Sequence, residues 1–411
     1  MSFDLVIAGA RLGDRPEPVE IGFRDGTIAA IDRTLTADGP REDAGGCLAF
    51  GGFVETHIHL DKALILDRCP ICEGTLREAV ALTTRAKANF TTDDVRARAS
   101  RVVEMAVVRG TTRMRSFVEV DPRAGMRSFE ALLEVRREYG WAIDIELCAF
   151  AQEGLTNEPE TLGMLGAALR GGASLVGGCP YTDPDPVAHV GIIFDLAERH
   201  DVDVDFHADF DLDPRGSILP EIIAQTQRRG YAGRVTVGHV TKLSAMQRSE
   251  AETLAEQLAG AGIAVTVLPA TDLFLAGRGD GGQAPRGLAP AAMLAAKGVL
   301  VSLATNNVLN PFTPYGDASL MRMANLYANV AQLSRDADLA ETFAMVTTSA
   351  ARQLRAPHGI AVGQPADLVL IDAPDPAAAV RGNAQVLRGW KRGRATFRHD
   401  RPELLYPSGK K

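Results

Sequence analysis

Short apolar runs punctuate the middle of the chain at Arg113–Val118, Ile143–Cys148, Ser174–Val176, Val202–His207, Arg234–Val237, Ile263–Leu268 and Val299–Ala304. Between them the apolar positions change to helical spacing. Thr91-Thr92-Asp93-Asp94 supplies an N-cap and early acids for a helix through Met105 to Gly110. Similar patterns fit helices at Ser128–Tyr139, Glu158–Leu169, Val187–His200, Leu219–Arg229, Leu243–Gly260, Pro290–Lys297 and Leu320–Leu333. With the apolar run that ends in His57, this makes eight βα units, which points to a closed (β/α)8 barrel. A doubly wound sheet is the alternative. It usually carries a glycine-rich phosphate loop after its first strand, and no G-x-G-x-x-G stands in that context. Both ends of the chain read differently, as short strands broken by Gly, Pro and Asp. They are Asp4–Ile7, Val19–Phe23 and Thr27–Ile31 at one end, and Ala366–Ile371 and the Val386–Phe397 region at the other. The two ends can meet as one small β-domain. Gly277–Gly282 reads as a flexible loop.

At 411 residues, 46% hydrophobic and 23% charged, the chain has the composition of a soluble globular protein. Its formal charge of −8 argues against a nucleic-acid groove. No apolar run approaches a membrane span, and MSFDLVIAGARLGD reads as a strand and not as a signal peptide. Five cysteines in so long a chain suggest a reducing compartment, the cytoplasm. Cys69-Pro-Ile-Cys72 has no second pair, so it is expected to be loop sequence beyond the first strand, not a zinc or redox motif.

The histidines narrow the chemistry. His57 and His59 stand at i and i+2 in GGFVETHIHLDK, so in a strand they point to the same side. His207 ends the fifth barrel run and His239 the sixth, while His189, His200, His358 and His399 fall on helices, turns or the tail. Half of the eight histidines therefore sit at the C-terminal rim of the strands, where parallel barrels build their sites. Together they predict a metal site, and neutral imidazoles suit zinc or iron.

H-x-H on strand one, single histidines on strands five and six, and a polar pair after strand eight make the pattern of the amidohydrolase superfamily. Within it the chain resembles the cytosine deaminase-like branch that includes N-isopropylammelide amidohydrolase. The matching text is FVETHIHLDK, AFAQEG at Ala149–Gly154, FHADFD at Phe206–Asp211, GHVTKL at Gly238–Leu243, TNNVLNPFTPYGDASLM at Thr305–Met321, and TTSAARQLR followed by HGIAVGQPADLVLID. The resemblance implies a distorted barrel over residues 50–357 and a β-sandwich domain made of 1–49 and 358–411. It implies hydrolysis of a C–N bond in a cyclic amide, amidine or N-substituted heterocycle, pyrimidine- or triazine-like. It implies one divalent metal ion, zinc first, then iron or manganese, that makes water nucleophilic near neutral pH. His57, His59 and His207 would be its ligands, and His239 a ligand or the group that polarises the substrate. Gln152 would read a ring amide edge, and relatives commonly form homo-oligomers.

Three positions depart from the pattern. Asn306 stands where an aspartate is metal ligand and proton shuttle; an amide oxygen can coordinate but cannot act as a base near neutral pH. Phe210 replaces the glutamate that protonates a ring nitrogen, and Phe117 stands where relatives have His. An ordinary cytosine deaminase is therefore not expected. Asp209 is the nearest remaining acid, either a proton-transfer group or a loop carboxylate holding a capping hydrogen bond. Lys62 would either bind a substrate anion or pair with Asp61 or Asp67. Asn307, Phe117 and Phe210 are expected around the substrate. No lysine lies in Ser174–Tyr181, where binuclear relatives place one, so one metal is expected at most. Two alternatives stand beside the hydrolase: an enzyme of the same fold with metal-free or altered chemistry, and a non-catalytic heterocycle binder.

Overall fold

A computed structural model describes residues 2–13, 15–36, 39–278 and 287–405. Eight parallel strands form its centre: β1 (Phe53–Ile58), β2 (Thr111–Glu119), β3 (Asp144–Ala151), β4 (Leu175–Gly178), β5 (Asp203–Ala208), β6 (Val235–His239), β7 (Ile263–Val267) and β8 (Val301–Leu303). They pair in chain order. Closure comes just past β8. Asn306 N–H donates to His57 O at 2.8 Å, and His59 N–H donates to Asn306 O at 2.8 Å. One residue thus both shuts the barrel and faces the histidines.

The strands are largely buried on both faces because helices cover the outside and side chains fill the inside. Val102, Leu132, Leu165, Ile193, Ile222 and Leu258, from six covering helices, are all buried in one continuous core with the strands. Close approaches require glycine at two points. A Cβ at Gly177 would lie 2.0 Å from Asp205 O, and one at Gly238 would lie 3.0 Å from His57 Cε1. The second explains the glycine before His239, because β6 must pass close to a site imidazole.

The chain ends do meet. One four-stranded sheet holds Thr27–Asp32, Val19–Arg24, Leu5–Ala10 and Arg41–Asp43; the other holds Arg394–Arg398, Val386–Lys391, Leu368–Ile371 and Leu48–Phe50. Leu48–Phe50 pairs antiparallel with Leu368–Ile371, so the second sheet needs both ends of the chain. Ile7, Ile21, Phe23, Leu368, Leu370 and Trp390 are buried between the sheets, with Phe23 and Trp390 edge to face at 6.4 Å. Lys391 fastens this domain to the barrel, donating to Thr112 O at 3.0 Å and Asp144 Oδ2 at 2.7 Å.

Several elements differ from the sequence pattern. Leu76–Lys87 is a helix capped by Thr75, whose side chain accepts from Glu78 N–H. Of its three buried residues, Ala79, Thr83 and Lys87, two are polar, so no hydrophobic stripe marks its buried face. The helix expected from Leu243 begins at Arg248, after a short 3-10 turn at Thr241–Ser244. Of the Gly277–Gly282 loop, residues 279–282 lie outside the described residues. Among the described residues no helix is long and apolar enough to cross a membrane.

Candidate active site

His57 and His59 lie at the end of β1, His207 on β5 and His239 at the end of β6. One ring nitrogen from each of His57, His59 and His207 falls within 4.8 Å of the others. The His57 and His207 rings stack at 4.5 Å, and His59 meets His207 edge-on at 5.2 Å. Phe117 lies 4.1 Å from His57 and Phe150 lies 4.2 Å from His207, forming an apolar wall behind the imidazoles. Phe117 is completely buried in that wall with Cys148, Phe150, Leu175 and Cys179, so it supports the histidines and does not line the cavity.

Burial in this wall, and then the neighbouring positive groups, hold the His57, His59 and His207 imidazoles well below their ordinary pKa. They are neutral and keep lone pairs. Both ring nitrogens of His57, Nδ1 of His59, Nε2 of His207 and Oδ1 of Asn306 are buried without a hydrogen-bond partner. Buried polar atoms are rarely left so. One unprotonated nitrogen from each of the three imidazoles, with the Asn306 amide oxygen, makes a set of four acceptors at one place, which fits a divalent cation. Asn306 adopts a left-handed backbone, φ 62°, a conformation asparagine tolerates better than most residues.

His239 falls outside the three-nitrogen group. Its Nδ1 lies 2.7 Å from Oδ1 of Asp272, a completely buried carboxylate on the helix Pro269–Leu275. Asp272 Oδ2 also accepts from Leu268 N–H at 3.3 Å. The pair therefore fixes the ring and its tautomer, leaving Nε2 for chemistry. Phe210 packs on the same ring at 4.4 Å. Sequence reading missed Asp272. The usable signal was a lone Asp at the start of a helix after β7, PATDLF, amid apolar residues.

Asp209 resolves toward its capping alternative. Its Oδ1 accepts from Ile218 N–H at 3.0 Å and its Oδ2 from Ser217 Oγ at 2.5 Å, and it does not line the cavity. Lys62 pairs with neither Asp61 nor Asp67. Its Nζ donates to Glu119 Oε1 at 2.6 Å and to Gln152 Oε1 at 3.3 Å, and lies 4.4 Å from the Phe312 ring centre. Asp61 is tied to the Lys62 and Glu119 backbone N–H groups, each at 2.9 Å. Glu55, also unread in the sequence, accepts from His57 N–H at 3.0 Å and from Thr305 N–H, so it holds the β1 and β8 ends together under the site. Burial pushes its carboxyl up to about 7.

A second acidic group, Glu119, Asp121 and Glu153, has metal-like spacing. Its centre belongs to Lys87 Nζ, which lies 2.8 Å from Glu119, 2.5 Å from Asp121 and 2.5 Å from Glu153. Cys69 is buried and Cys72 exposed in the loop after β1. A cavity of about 300 Å³ between barrel and sandwich contains none of the four rim histidines. The histidine cavity is lined by His59, His207, His239, Asn306, Lys62, Gln152 and Asn307 under an apolar rim of Leu76, Phe210, Leu275 and Phe312. At about 10 Å³ it holds about one water, so a ring enters only when that rim parts.

A family model described as an amidohydrolase family matches residues 72–397. The chain is 28% identical over 404 residues to N-isopropylammelide isopropyl amidohydrolase of Pseudomonas sp. (strain ADP), covering 95% of this chain and 96% of that protein. It is 30% identical over 361 residues to pterin deaminase of Rhizobium rhizogenes, covering 86% and 82%. Among solved structures it superposes on 5-methylcytosine deaminase from Klebsiella pneumoniae, liganded with 5-fluorocytosine, at TM-score 0.93 and 30% identity, covering 98% of this chain and 100% of that one.

Proposed function

This chain belongs to the amidohydrolase family, and on that premise we propose that it is a metal-dependent hydrolase of C–N bonds in a pyrimidine- or triazine-like heterocycle. The observation that carries the reading is the set of orphaned acceptors on His57, His59, His207 and Asn306. A divalent cation held there, zinc first and then iron or manganese, supplies the Lewis acidity that makes water a nucleophile near neutral pH. The relatives named above act on an ammelide, a pterin and a cytosine by their names, which supports an N-heterocyclic substrate.

The side chains divide the remaining work. His239 presents Nε2 to the cavity, held by Asp272, and is placed to take and return a proton at a substrate heteroatom. Asn306 offers an oxygen to the cation but no base. Phe210 and Phe312 exclude water and stack on a planar ring. Lys62, Gln152 and Asn307 orient the ring by its polar edge. Asp272→Asn keeps the size of the side chain but leaves His239 in the wrong tautomer. Its kcat is expected to fall ~10- to 100-fold with metal content unchanged, measured by steady-state kinetics and elemental analysis.

The loss of the aspartate at Asn306 favours a second reading, in which the cation is not retained and the His239–Asp272 pair acts alone or the cavity only binds. Metal content of protein purified without added metal separates the two, beside Asn306→Asp. About one equivalent in the unaltered protein, with turnover in a panel of cyclic amides and amino-pyrimidines or triazines, is the expected result. Near zero in the unaltered protein but about one in Asn306→Asp would replace the hydrolase reading with the second.

A further inference from the structure

Three polar side chains, Lys62, Gln152 and Asn307, line the histidine cavity besides the imidazoles, Asn306 and two hydroxyl residues, and none of the three has a free acceptor. An ammonium has only hydrogens to give, so Gln152 must turn Oε1 to Lys62 Nζ, 3.3 Å away. The Gln152 Nε2 group then has one hydrogen toward Cys179 Sγ at 3.6 Å and one left over. Lys62 uses two of its three donors, on Glu119 and Gln152. Asn310 Oδ1 accepts from Phe312 N–H at 3.0 Å and Thr313 N–H at 3.1 Å, which turns Asn310 Nδ2 toward Asn307 Oδ1 at 2.7 Å. Asn307 is left with its Nδ2 donors.

No carboxylate among the described residues lines this cavity. Asp209 faces Ser217 and Ile218, Asp272 faces His239 and Leu268, and Glu119 faces Lys62 and Lys87. The hydroxyls of Tyr181 and Thr271 can donate as well as accept. The site therefore has two poles: an acceptor pole for a cation, and a donor pole where Lys62 (itself paired with Glu119), Gln152 and Asn307 offer hydrogens and no free acceptor.

We infer that the cavity selects an oxo-heterocycle through an ionised, acceptor-only edge, an oxo group beside a deprotonated ring nitrogen or carbon, over the neutral N–H/C=O edge of an ordinary cyclic amide. The inference deepens the hydrolase reading and rests on it only for the location of the site. A neutral edge would set its N–H against donors and leave one of them without a partner. An ionised edge accepts from all three, and hydrogen bonds to charged groups are the stronger kind.

Calorimetric titration of the protein as purified tests this with barbiturate, ionised at neutral pH, and 5,6-dihydrouracil, a neutral ring of the same size. Barbiturate is expected to bind at least ~10-fold more tightly. Lys62→Gln should reduce that preference to about threefold or less. Because Lys62 is buried beside Glu119, Asn307→Asp is the second variant: it reverses one donor at nearly constant volume and should weaken barbiturate at least ~10-fold while sparing dihydrouracil. Equal affinities, tighter dihydrouracil, or no binding of either ligand would overturn the inference. Barbiturate preference without metal or turnover would refute the hydrolase reading alone; turnover of neutral rings without barbiturate preference would refute this one alone.

Discussion

Replacing His207 with alanine, or stripping the protein with a chelator, is expected to lower C–N hydrolysis at least ~1,000-fold while the barrel stays folded. His207 supplies one of the three clustered imidazole nitrogens, and its ring is held on two sides, by His57 at 4.5 Å and Phe150 at 4.2 Å. Alanine removes a lone pair that Asn306 cannot replace, because its oxygen already belongs to the same acceptor set. The chelated protein should regain activity on adding back one divalent cation, whereas His207→Ala should not. The fold is expected to survive since β5 keeps its pairing to β4 and β6 through the backbone. Turnover that persists undiminished in protein shown by elemental analysis to be metal-free would end the metal-dependent reading and promote the His239–Asp272 pair.

Most of the barrel was legible because buried strands and amphipathic helices write different periods into the chain. The rim histidines were legible because three of them end apolar runs. What escaped was set by contacts between distant segments. Asp272 lies 33 residues from His239, and nothing local to either marks the bond between them. Lys62 looked like a partner for adjacent acids, but its ammonium reaches Glu119, 57 residues on, because β1 and β2 are neighbours in the sheet. Asp209 carried two readings of equal weight, and the turn after β5 decides between them by placing Ser217 and Ile218 against its carboxylate. The helix Leu76–Lys87 was invisible for a related reason. Its last residue is buried as an ion among carboxylates, not as part of an apolar stripe.

That burial gives Lys87 a large structural role outside the site. Lys87→Met is expected to destabilise the protein by ~3–5 kcal/mol near neutral pH, because it leaves Glu119, Asp121 and Glu153 facing one another without their shared cation. Arg123 stays close to Asp121 and Glu153 and relieves part of the repulsion, which favours the lower end of the range. The sign of the pH dependence follows from Glu119. Burial pushes its carboxyl up, but the Lys62 and Lys87 ammonium groups outweigh burial and hold it at about 2. A depressed folded-state pKa gives stability that is present above the unfolded value, ~4.3, and lost as pH falls toward the folded one. The gap between the wild type and Lys87→Met should therefore be widest at neutral pH and shrink as pH falls toward about 2, as the carboxylates lose the charge that Lys87 balances. Urea denaturation at several pH values measures it; a loss under ~1 kcal/mol at neutral pH would show that the cluster is replaceable. The variant should also affect the site from a distance. Lys87 anchors one end of a helix whose first residue, Leu76, belongs to the apolar rim over the histidines. Loosening the anchored end should raise KM more than it lowers kcat, since the rim excludes water and grips the ring without touching the bond that breaks.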